Sequence, residues 1–121
     1  MGDRGNVVIK DGSSTVYLYT HWNRYRLKQD VASALERGSS RTDDGPYFAR
    51  IMLCEMLMAD GDHTEALQGT TGFGISSVKG DGDETVIIDC ANGTVEVPGD
   101  YEEPSFKGNF QEYVDWEKSI R

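Results

Sequence analysis

The sequence predicts an α+β domain with an antiparallel sheet of about five strands and helices on one face, in the order β-β-α-α-β-β-β-α. Three observations carry this. Runs of β-branched and aromatic residues cluster before and after a middle region whose apolar residues recur at helical spacing. Strands segregated from helices in this way favour antiparallel pairing. Turn signals of the Asp-Gly and Asn-Gly type stand between the runs, at Asp11-Gly12 and Asn92-Gly93. The length of 121 residues suits one domain over positions 1–121, with no internal repeat and no low-complexity boundary.

In chain order, Asn6–Lys10 and Thr15–Thr20 read as a hairpin around Asp11-Gly-Ser-Ser14. On its second strand Val16, Leu18 and Thr20 alternate with Tyr17, Tyr19 and His21, so one face is core and the other aromatic. Leu27, Val31, Ala34 and Leu35 give one helical stripe over Leu27–Arg37, with Gly38 as a stop. Asp43 or Asp44 can cap a second helix over Pro46–Ala59, where Pro46 is tolerated in the first turn. That helix is apolar almost all round, which predicts burial in the domain or in an interface. Phe73–Val78, Thr85–Cys90 and Thr94–Val97 read as a meander. Asn109 with Glu112 makes a capping-box start for a last helix from about Phe110 to Ser119.

Asn6-Val-Val-Ile-Lys-Asp-Gly12, Val16-Tyr-Leu-Tyr-Thr-His-Trp-Asn-Arg-Tyr-Arg-Leu27, Tyr47-Phe-Ala-Arg-Ile-Met-Leu-Cys-Glu-Met56 and Thr71-Gly-Phe-Gly-Ile75 together resemble a group of small, mostly uncharacterised proteins of bacteria, archaea and their viruses. The resemblance spans most of the chain and implies no activity or ligand. It departs from the group's pattern at Arg24, where a glycine is usual after the His-Trp pair.

With 12 Lys and Arg against 21 Asp and Glu, the net charge is −9. That opposes nonspecific nucleic-acid binding, which draws on cations at phosphates. It suits plain solubility, a basic protein partner or a high-salt cytoplasm. No secretory leader pattern and no apolar run near the length of a bilayer span is present, so a soluble cytoplasmic protein is expected. Cys54 and Cys90 lie in apolar runs and read as small hydrophobes, too few for a disulfide framework.

Residues 21–28 are the most unusual segment, pairing aromatics with three cations in an acidic chain. His21, Trp22, Arg24, Tyr25 and Arg26 could grip and stack on a nucleotide or other anion, or simply seal the edge of the core. Glu55 projects among Phe48, Ile51, Met52 and Met58, where a carboxylate must find a donor or raise its pKa. Arg50 lies roughly 140° away around the helix, so the two do not simply pair. His21, Arg50 and Glu55 could form an acid–base or phosphate-handling site, or a structural hydrogen-bond network. Asp60-Gly-Asp-His63 and Asp81-Gly-Asp-Glu84 lack calcium-loop spacing, and Gly69–Gly74 lacks the lysine and helix of a phosphate loop; no metal or cofactor is expected.

The favoured reading is a non-enzymatic protein-binding module, an inhibitor or adaptor, with a viral or mobile-element origin in keeping with the resemblance. A binder of anionic small molecules and a small hydrolase using His21 and Glu55 are the other two. Met52, Met56 and Met58 offer a surface for a homo-oligomer.

Overall fold

The computed structural model describes residues 4–20, 26–59, 72–78, 84–98 and 105–121. Six strands form one mixed sheet in the order β3-β2-β1-β4-β5-β6. These are β1 (Gly5–Asp11), β2 (Ser14–Thr20), β3 (Phe73–Ser76), β4 (Glu84–Asp89), β5 (Thr94–Val97) and β6 (Phe106–Asn109). Three helices, α1 (Leu27–Arg37), α2 (Gly45–Ala59) and α3 (Phe110–Ile120), pack against it. The fold class is the one expected, α+β in a single small domain.

The sheet differs from the expected one in two ways. Its central pair, β1 and β4, is parallel, whereas every other pairing is antiparallel. The register sets Val7 beside Val86, Val8 beside Ile87 and Ile9 beside Ile88. Two uninterrupted apolar triplets thus lie side by side at the middle of the sheet. Val7, Val8 and Ile9 are all buried although they point to alternate faces. Unbroken apolar runs of this kind mark strands covered on both faces, the usual setting for parallel pairing. The second difference is β6, whose Phe-Lys-Gly-Asn sequence has little strand character of its own. It pairs with β5 from Val97↔Phe106 to Thr94↔Asn109, and Phe106 stacks against Tyr113 and Trp116 of α3 at ring separations of 5.5 and 5.1 Å.

Local signals set the turns and helix ends. Asp11 pairs with Ser14 across Gly12-Ser13, and Gly12 takes a φ of +64° that only glycine adopts without strain. The β4–β5 turn is longer. Asp89 accepts hydrogen bonds from both the backbone and the side-chain amide of Asn92 at 3.1 and 2.8 Å. Asp44 caps α2 by accepting from the Tyr47 amide at 3.3 Å. Asn109 and Glu112 exchange the two 2.8 Å bonds of a capping box at the start of α3.

Along the sheet, α2 covers β1 and β2, α1 covers β1 and β4, and α3 covers β5 and β6, with α1 lying between the other two helices. The alternation expected on β2 holds: Leu18 and Thr20 are buried, while Tyr17 and Tyr19 are half-buried on the opposite face. Met52 and Met56 of α2 are fully buried in the domain's own core. The apolar surface expected for an oligomer therefore reduces to Met58, 50% exposed. Gly38 ends α1 without a left-handed turn. A β-carbon there would stand 3.0 Å from the Ile51 side chain, so its role is to let α1 and α2 approach closely.

Candidate functional site

Two ion pairs flank the seam between α1 and α2, Arg26–Asp30 at the start of α1 and Arg37–Glu55 across its last turn. Asp30 falls on the stripe of α1 that also carries Leu27, Val31 and Ala34, and its side chain is only 3% exposed. Its ion partner among the described residues is the half-exposed Arg26, whose Nε stands 3.7 Å from Oδ1. That distance is too long for a hydrogen bond. Burial drives the Asp30 carboxyl up from 3.8 to about 7; Arg26 opposes the rise and Glu55 of α2 adds to it. The Glu55 side chain is 16% exposed and lies 3.0 Å from Arg37 Nε. Arg37 also donates from Nη2 to the Ile51 carbonyl at 3.2 Å, which ties the last turn of α1 to α2.

Of the residues singled out in the sequence, Arg26 pairs with Asp30 and Glu55 with Arg37, and both Arg26 and Glu55 act electrostatically on Asp30. Arg50 is exposed on α2, and the donor found by Glu55 is Arg37. His21, Trp22, Arg24 and Tyr25 lie outside the described residues, so their expected grouping with Arg26 does too. The same holds for Asp60–His63 and for Asp81–Asp83 of the two acidic loops. Sequence reasoning missed Asp30. The signal was available, because a carboxylate interrupts the Leu27–Val31–Ala34 stripe just as Glu55 interrupts that of α2.

Chemically, a buried acid that stays protonated up to neutral pH can give or take a proton where an ordinary aspartate cannot. Among the described residues no group of three or more His, Cys, Asp or Glu could hold a metal ion. Among the described residues, two clefts stand out elsewhere. One, of about 290 Å³, opens between the β1–β2 hairpin and the start of α2 and is lined mainly by Ile9, Val16, Pro46 and Ala49. The other, of about 420 Å³, lies between α1 and α3 around Leu35, Phe110 and Val114, with Glu36, Ser39 and Thr42 also lining it.

The remaining feature is the edge of the sheet. Among the described residues β3 is the outermost strand, beside β2. Residues 72–78 contain no charge and no proline, and Ile75 and Val78 are 62% and 69% exposed. Edge strands usually carry a lysine, a proline or a bulge that blocks further pairing. No helix of the described residues is long and apolar enough to cross a membrane.

No family model, no curated protein and no solved structure matches this chain.

Proposed function

We propose that the protein is a non-enzymatic protein-binding module, an inhibitor or adaptor working in the cytoplasm, that takes up an extended segment of its partner along β3. The observation that carries this reading is that β3 is an outer strand among the described residues, with no charge over residues 72–78 and with Ile75 exposed, on a chain of net charge −9. An outer strand supplies backbone donors and acceptors for an added strand, and exposed side chains such as Ile75 supply the specificity. The acidic surface steers in a basic partner and repels acidic competitors. The partner is therefore an extended segment with apolar alternate residues and basic flanks. The anion-binding alternative draws less support, because the Arg26 guanidinium faces a carboxylate.

Ile75→Lys tests the reading. Its side chain is mostly exposed, so folding stability should change by no more than about 0.5 kcal/mol. Affinity capture from source-cell extract, followed by cross-linking from position 78, should map a partner strand onto β3 in the wild type and lose it in the variant. A partner retained by Ile75→Lys, or cross-linked elsewhere, refutes binding through this edge.

A further inference from the structure

We propose that Asp30 is a proton-operated latch on the seam between α1 and α2: neutral, it lets the two helices close over the sheet, and ionised, it loosens them. This latch does not depend on the β3 edge.

The geometry explains why the seam is poised. The Asp30 side chain is buried on the core-facing stripe of α1, yet its ion partner among the described residues, Arg26, is half-exposed and 3.7 Å away. A buried carboxylate without a close hydrogen-bonded cation is costly, and the protein lowers that cost by keeping the proton. Across the seam α2 presents Glu55, whose own cation, Arg37, is held at 3.0 Å. An ionised Asp30 would face that second carboxylate with Arg37 already engaged. Among the described residues, the charges that act on Asp30 are those of Arg26 and Glu55. From α3, Tyr113 Oη donates to the Lys28 carbonyl at 2.8 Å and Lys118 pairs with Glu36 at 3.2 Å. The sheet beneath presents Val7, Ile9, Val86 and Ile88. The Asp30 carboxyl, at about 7, titrates where cellular pH varies.

The direction of the coupling follows from proton counts. Between 3.8 and about 7 the folded protein keeps a proton on Asp30 that the unfolded chain has released. Folding stability from this group is therefore highest at low pH and is lost as pH rises through that window.

Carboxyl-detected NMR titration of the full chain tests the latch. The Asp30 carboxyl should titrate with a midpoint between about pH 6 and 8; Glu55→Gln should lower that midpoint and Arg26→Gln should raise it. Hydrogen-exchange protection of the α1 amides, corrected for intrinsic rate, should fall about tenfold or more from pH 6 to 8 in the wild type. In Asp30→Asn it should change less than about twofold. A wild-type midpoint below about pH 5, or an equal loss of protection in Asp30→Asn, overturns the proposal. The wild-type titration decides the question even if a variant does not fold.

Discussion

Replacing Gly45 by alanine should destabilise the fold although alanine is the better helix former. Gly45 is the first residue of α2, and its amide donates to Asp11 Oδ2 at 3.0 Å, which joins the helix start to the end of β1. A β-carbon at position 45 would stand 2.6 Å from the β-carbon of Asp11 and 2.9 Å from Oδ2. The Asp11 β-carbon is fixed to its backbone and cannot rotate away, so the strand end or the helix start must move. Overpacking of this kind costs about 1–3 kcal/mol, and loss of a hydrogen bond to a charged group costs about 1.5–3 kcal/mol more. Alanine returns up to about 1 kcal/mol through helix propensity and a less flexible unfolded chain. The net expectation is a loss of about 1.5–6 kcal/mol, a large share of the stability of a small domain. Urea unfolding with a constant denaturant slope measures it. In an Asp11→Gly background, which removes the facing β-carbon, the same Gly45→Ala change should cost clearly less, since contacting residues are not additive. A Gly45→Ala protein as stable as the wild type refutes the close-approach argument.

Two further outcomes follow from the local structure. Asn109→Ala removes the capping box and should cost about 1 kcal/mol, read by urea unfolding. Cys90 is buried, and that burial, reinforced by Asp11, Asp89, Asp43 and Asp44, pushes its thiol up to about 11. In native protein at pH 8, alkylation mapped by peptide mass spectrometry should therefore reach the partly exposed Cys54 first and Cys90 only after unfolding.

Several structural features were legible locally. The apolar stripe and Gly38 give α1 its bounds at Leu27 and Arg37. The Asp44 cap, the Asn109–Glu112 box and the glycines at positions 12 and 93 depend on residues within four positions of each other. The need of Glu55 for a donor was also readable, because a carboxylate on an apolar stripe is visible in one helix. The identity of the donor was not, since Arg37 is brought to it only when α1 and α2 pack. The joint environment of Asp30, Arg26 and Glu55 arises in the same step.

By itself, then, the sequence determined the three helices, strands β1 to β5, the turns at Gly12 and Gly93, the caps of α2 and α3, and the α+β class, because those signals act over a turn of helix or the span of a hairpin. Tertiary structure alone decided that β1 and β4 run parallel, that the weak Phe106–Asn109 segment becomes a strand, and that the Asp30 carboxyl keeps its proton toward neutrality. Backbone pairing, burial and electrostatics at those places are set by groups distant in sequence, and their energies exist only once the layers have closed on one another.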